Sequence, residues 1–145
     1  MTTDTTTKPL TDFKVHTKIK LAALWTSAMF CYVYGDHFHL FVPQFIQGLV
    51  TGKMNDTPTT PLMLLAFALF MSLPSLMITL SLLLRPTINR RLNLCVGLFF
   101  TVFLGFDILD SITNEWMVFY VFFGVVEMLL TSTIAWLAWT WEKQE

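Results

Sequence analysis

The stretch LMLLAFALFMSLPSLMITLSLLL, residues 62–84, decides the fold class of this 145-residue chain. It holds no charged residue and is followed directly by Arg85 and Pro86. A helix rises 1.5 Å per residue, so a run of this length spans the roughly 30 Å hydrocarbon core of a bilayer. The stretch therefore predicts a transmembrane helix, and Pro74 near its middle predicts a bend.

Three further apolar runs lie on either side of this one, at about residues 21–41, 92–112 and 116–141. Hydrophobic side chains make up 54% of the chain and charged ones 13%. Soluble domains contain about 45–50% apolar and about 25% charged residues, so lipid is the expected solvent. We predict an all-α integral membrane bundle of four transmembrane helices.

The polar segments lie at the two ends of the chain and between the first two spans. Residues 1–20 are rich in Thr and Lys and predict a polar tail, while residues 142–145 form the other end. Pro43 suits the first position of a helix, and the apolar residues within 45–50 fall on one face. This pattern predicts a short helix lying in the membrane interface after the first span.

The basic residues predict the orientation of the bundle. Lysines precede the first span, and Arg85, Arg90 and Arg91 join the second span to the third. The loops at the opposite end hold only Lys53. Because Lys and Arg concentrate on the cytoplasmic side of membrane proteins, we predict that both termini are cytoplasmic.

Three acidic residues lie at the same predicted depth in three different spans. Asp36, Asp107 and Glu127 are each sixteen positions from a basic residue at the cytoplasmic end of their own span. At 1.5 Å per residue, each carboxyl is about 24 Å from that end, so the three share one layer. A charged side chain costs about 2.5–3.5 kcal/mol at the centre of an inserting helix, so retained acids indicate a function.

Further candidate site residues flank this layer. Asp110 lies one turn above Asp107 on the same helix face, and His37 and His39 follow Asp36 near the outer mouth. Because like charges in a low-dielectric layer do not all stay ionised, we expect a bound proton or a cation among these residues. Two histidines two positions apart are about 200° apart on a continuing helix and do not face one ion together, so we predict no metal site.

Each acid also has a simpler interpretation. Asp36, Asp107 and Asp110 would then reach headgroup water separately at the outer interface. Glu127 would be a protonated acid that is hydrogen-bonded to a neighbouring helix and serves packing alone.

Three classes of function remain open on these residues. The first is binding or transport of a cation, a proton or an amphiphilic ligand, with a homodimer expected because four short spans enclose little room. The second is a membrane enzyme that acts on a lipid-like substrate with Glu127 or Asp36 as acid or base. The third is a structural or partner-binding membrane subunit. No cofactor motif or nucleic-acid-binding surface is present in the sequence, so we expect neither a cofactor nor a nucleic-acid partner.

Several segments of the chain resemble a family of small bacterial four-helix membrane proteins of unknown function. The resemblance covers about residues 18–143 and rests on residues 21–25 and 34–36, 73–77, 85–90, 122–127 and 138–141. In that family a Tyr-Ala-Asp pattern ends the first helix. Here Gly35 replaces the alanine, while Asp36 and Glu127 match. The resemblance implies four spans in a bacterial inner membrane, and it implies no activity.

Overall fold

A computed structural model describes residues 14–43, 45–54 and 57–141. The predicted tail before Lys14 and the predicted end at residues 142–145 lie outside the described residues. Within the described ranges the chain forms five α-helices, one 3-10 turn and a two-stranded hairpin. In chain order they are α1 (Thr17–His39), α2 (Phe45–Val50), β1 (Lys53–Met54), β2 (Thr57–Pro58), α3 (Pro61–Leu83), α4 (Pro86–Ser111), the 3-10 turn (Glu115–Met117) and α5 (Val118–Trp139).

Three helical segments are long and apolar enough to cross a membrane. They are Pro61–Leu83, Pro86–Ser111 and Glu115–Trp139. Apart from the short hairpin, the described chain is therefore an all-helical bundle with three candidate membrane-spanning helices. α1 has 23 residues, the same length as α3, and carries charged residues near both of its ends.

Prolines and a glycine set several helix boundaries. α4 begins at Pro86, six residues before the span predicted from the apolar run, because proline needs no hydrogen bond in a first helical turn. α2 follows Pro43 as a short helix, and Gly52 turns the chain after it with a φ of 69°. The strands β1 and β2 then pair antiparallel, with Lys53 opposite Pro58.

Two basic side chains tie helix ends together. The Lys18 ammonium at the start of α1 donates to the carbonyl of Leu84 at 2.7 Å, at the end of α3. The Arg90 guanidinium in α4 donates to the carbonyls of Ala138 at 3.0 Å and Trp139 at 2.8 Å, at the end of α5. The last carbonyls of a helix have no partner within it, so a cation there stabilises the helix end. These contacts place the four helix ends at one end of the bundle, which we call the inner half; the half with α2 and the hairpin is the outer half.

The helices pack around a core that lies mainly in the inner half. α1 packs between α3 and α5, and α4 packs along α5. Trp25, Phe100 and Ile134 are fully buried there. Gly97 allows the closest approach of α4 to α5, because an added Cβ would lie 3.2 Å from backbone atoms of Thr131 and Ala135. Backbones that approach at small residues are typical of membrane helix pairs.

A closed network of polar side chains lies within this core. The Asn93 carbonyl oxygen accepts hydrogen bonds from the Trp25 indole at 2.8 Å and from the Ser81 hydroxyl at 3.1 Å. The Asn93 amide donates to the side chain of Asn89 at 2.6 Å, and the Asn89 amide donates to the carbonyl of Ser81 at 2.6 Å. All four side chains are fully buried, and each is hydrogen-bonded. The network therefore joins α1, α3 and α4 without leaving any of these four side chains buried and unpaired.

Candidate functional site

A cavity of about 820 Å³ lies in the outer half of the bundle, with residues of all five helices in its wall. Its volume falls within the roughly 300 to 1,000 Å³ that small-molecule sites occupy. One part of the wall is apolar and comes from α2 and α3; it includes Phe45, Leu49, Leu64, Phe67, Phe70 and Met71. The other part carries the polar side chains of α1, α4 and α5: Tyr32, Asp36, His39, Asp107, Tyr120 and Glu127.

The cavity brings together four of the six residues that the sequence singled out. Asp36 and His39 come from α1, Asp107 from α4 and Glu127 from α5. His37 and Asp110 are exposed and are not part of the wall. The His37 ring contacts Phe41 instead, with ring centroids 5.6 Å apart. A single helix position is about 100° of rotation, so His37 points away from the cavity that its neighbour Asp36 lines.

Two glycines shape the space around these acids. An added Cβ at Gly35, next to Asp36, would meet no atom within 4 Å, because this part of α1 faces the cavity. An added Cβ at Gly124 would lie 2.9 Å from a side-chain carbon of Ile108. Gly124 therefore holds α5 close to α4 one turn from Glu127.

Two of the acids have partners inside the cavity. The Asp36 carboxyl lies close enough to the His39 imidazole for electrostatic attraction. The His39 ring stacks on Phe45 of α2, with centroids 4.2 Å apart, which fixes its position. The Tyr120 hydroxyl lies close enough to the Asp107 carboxyl to act on it electrostatically. Each of these acids thus has a polar side chain from elsewhere in the cavity beside it.

Glu127 has no such partner. Its side chain is only 5% exposed. Its backbone carbonyl accepts a hydrogen bond from the Thr131 hydroxyl at 3.0 Å, but within the described ranges its carboxyl has no hydrogen-bond partner. Among the described residues, the carboxyls of Asp107 and Asp36 act on it electrostatically and repel it when they are ionised. A buried carboxyl in this setting requires a proton or a positive group beside it.

Tyr32 is the second unsatisfied group of the wall. It is 9% exposed, and its buried hydroxyl has no hydrogen-bond partner among the described residues. Glu127 is the ionisable group that acts on this hydroxyl most strongly. Because an unpaired buried polar group costs about 1–3 kcal/mol, such groups are rare unless something else fills the site.

Sequence reasoning missed both tyrosines of the cavity, although the sequence carried a signal for each. Tyr32 precedes Asp36 by four positions, and Tyr120 precedes Glu127 by seven. Both spacings put the two residues on one face of a helix. A search for polar residues on the same faces as the acids would have found them.

Among the described residues, no group of three or more His, Cys, Asp or Glu side chains is arranged to hold a metal ion. Cys31 and Cys95 are free thiols. All the residues that line the cavity come from a single chain, and the homodimer stays a prediction.

Comparison with known proteins gives a family and no activity. Residues 10–145 match the family of unknown function DUF6326. The chain belongs to this family. No curated protein and no solved structure matches the chain. The family match confirms the resemblance to a family of unknown function that the sequence indicated.

Proposed function

We propose that this chain is a four-span membrane protein that binds a cationic amphiphile in its outer cavity. The observation that carries the proposal is the composition of that cavity. Carboxyl groups from three helices share about 820 Å³ of space with an apolar wall from α2 and α3. A ligand that fills such a space needs both a positive head group and a hydrocarbon part.

The proposal counts α1 as the fourth span. Its 23 residues give a length of about 35 Å, which is enough to cross a hydrocarbon core of about 30 Å. It packs between α3 and α5, so it shares the depth of these two candidate spans. Burial of Leu21 near its start and of Gly35 near its end supports contact along its whole length.

The proposed orientation places the inner half at the cytoplasmic side. Lys18, Lys20 and the arginines of the junction between α3 and α4 lie in the inner half, where they favour the cytoplasmic leaflet. Both termini are then cytoplasmic, and the cavity opens toward the opposite side. The resemblance to bacterial proteins supports a bacterial inner membrane as the proposed location.

The charges of the wall favour a cation over a neutral ligand. Three carboxyls face the cavity, and the one imidazole there, that of His39, balances at most one of them. A positive ligand reduces the repulsion among the carboxyls, and the effect is large because the surroundings are poor in water. A bare ion would not contact the apolar part of the wall, which comes from α2 and α3, whereas an amphiphile contacts the apolar and the polar parts.

Equilibrium binding of a simple amphiphilic cation tests the proposal. Full-length protein in lipid nanodiscs is titrated with radiolabelled dodecylamine, with empty nanodiscs as the blank. We expect saturable binding that Glu127→Gln weakens at least about ten-fold, equivalent to about 1.4 kcal/mol. Glu115→Gln is the matched control, because it removes the same charge from an exposed side chain outside the cavity.

Two results would contradict the proposal. One is the absence of binding above the blank, which would favour a structural or partner-binding subunit. The other is equal binding by the wild type and Glu127→Gln, which would place the ligand away from the acids.

A membrane enzyme is the second candidate, and the apolar volume beside the carboxyls favours it. In that case Glu127 or Asp36 transfers a proton to or from a lipid-like substrate. Ligands that co-purify with the protein are extracted, returned to fresh nanodisc protein and followed by mass spectrometry. Conversion by the wild type, and none by Glu127→Gln, would support an enzyme; an unchanged ligand mass and retention time would count against it.

A further inference from the structure

We infer that the head group of the ligand is a protonated primary or secondary amine, held between the Glu127 carboxyl and the Tyr32 hydroxyl. The inference rests on the proposed function and names the chemical class of the ligand.

The polar groups of the cavity differ in whether another polar side chain lies beside them. Asp36 faces His39, and Asp107 faces the Tyr120 hydroxyl. The Tyr32 hydroxyl is buried and unpaired, and the neighbouring Glu127 carboxyl has no hydrogen-bond partner among the described residues. A ligand in this cavity therefore pairs all the buried polar groups only if its head group contacts both the Tyr32 hydroxyl and the Glu127 carboxyl.

A protonated amine with two or more N–H groups satisfies both residues at once. One N–H donates to the Glu127 carboxylate in a charge-assisted hydrogen bond, which is roughly twice as strong as a neutral one. A second N–H donates to the oxygen of Tyr32, which accepts as well as donates. The positive charge also offsets the repulsion that Glu127 receives from the other two carboxyls.

Other head groups of similar size fit less well. A quaternary ammonium carries the charge but has no N–H, so both Tyr32 and Glu127 stay without a hydrogen bond. An alcohol bonds to both residues but leaves the buried carboxylate without a counter-charge. A carboxylate or a phosphate adds negative charge to a wall that already holds three acids.

The hydrocarbon part of the ligand has its place on the wall from α3. Phe67, Phe70 and Met71 of α3 line this wall, and Glu127 of α5 lines the polar part of the same cavity. The head group and the tail are thus bound by different helices. The ligand class is an amine with a single hydrocarbon tail.

Competition among three amphiphiles with the same tail tests the inference. Labelled dodecylamine is bound to the full chain in nanodiscs and displaced by unlabelled dodecylamine, trimethyldodecylammonium or dodecanol, each at equal concentration in the bilayer. We expect dodecylamine to compete at least about ten-fold better than either of the others, because only it makes a charged hydrogen bond.

Tyr32→Phe identifies the second contact. We expect this variant to bind dodecylamine more weakly, because the second hydrogen bond is gone. Its preference for dodecylamine over trimethyldodecylammonium is expected to fall to about three-fold or less. Tyr34→Phe is the matched control, since Tyr34 lies two positions away and is 53% exposed. The control is expected to keep the full preference.

The outcomes separate the inference from the proposed function. Equal competition by all three compounds, with Glu127→Gln still weakening binding, would overturn the amine class and leave the proposed function intact. An unchanged preference in Tyr32→Phe would overturn the role of Tyr32. No saturable binding of labelled dodecylamine would overturn both. The competition in the wild type decides the amine class even if a variant fails to fold.

Discussion

The inner and outer halves of the bundle differ in whether their buried polar side chains are hydrogen-bonded. In the inner half, Asn93 joins Trp25, Ser81 and Asn89 in a network in which each side chain is hydrogen-bonded. In the outer half, Tyr32 is buried, yet its hydroxyl has no hydrogen-bond partner among the described residues. Satisfied polar groups fix how helices pack, whereas an unsatisfied one at a cavity is available to the ligand that we propose.

The largest effect on stability is expected in the inner half. Asn93→Ala removes the acceptor for the Trp25 indole and the Ser81 hydroxyl and the donor to Asn89, so we expect the free energy of unfolding to fall by about 3 kcal/mol. Unfolding in mixed detergent micelles measures this. Gln47→Ala is the control, because it removes an exposed side-chain amide from α2. A loss of less than about 1 kcal/mol would mean that the network contributes little to packing.

A smaller loss is expected where α4 meets α5. Gly97→Ala places a Cβ 3.2 Å from two backbone atoms of α5, and we expect a loss of about 1–3 kcal/mol as the helices separate. Gly35→Ala, which meets no atom within 4 Å, is expected to raise stability by about 0.5–1 kcal/mol through its helix propensity. The same micelle measurement applies to both. Equal effects of the two substitutions would contradict the contrast between a packed and an open half.

In the outer half, removal of an acid is expected to stabilise the protein. Glu127→Met keeps a similar volume and removes a buried carboxyl that has no hydrogen-bond partner in the described ranges, so we expect the free energy of unfolding to rise by about 1 kcal/mol. Binding of dodecylamine is expected to be lost in the same variant. A loss of stability comparable to that of Asn93→Ala would indicate that Glu127 serves packing.

The smallest effect is expected at Tyr32. Tyr32→Phe removes a hydroxyl without a partner among the described residues, so we expect the free energy of unfolding to change by less than about 0.5 kcal/mol. Trp25→Phe is the matched aromatic change in the inner half, and we expect it to cost more because it breaks the 2.8 Å bond to Asn93. Equal losses for the two would show that the Tyr32 hydroxyl is bonded after all.

The sequence predicted the helical class well and the site in part. Apolar runs predicted helices because a chain in lipid must satisfy its backbone within each segment, and three of these helices are long and apolar enough to span. Counting from basic residues put Asp36, Asp107 and Glu127 in one layer, and all three line one cavity. It also included His37 and Asp110, which lie outside the cavity wall, because depth along a helix does not fix which way a residue faces.

By itself, the sequence determined the membrane-like composition, the helical segments, the family and the positions of the acids along their helices. These follow from local properties: hydropathy, charge and the 1.5 Å rise of a helix. The tertiary structure alone decided that α1 lies between α3 and α5, that Tyr120 lies near Asp107, and that the buried Tyr32 hydroxyl has no hydrogen-bond partner among the described residues. These depend on the order and rotation of the helices, which side-chain packing between distant segments sets and which no single segment encodes.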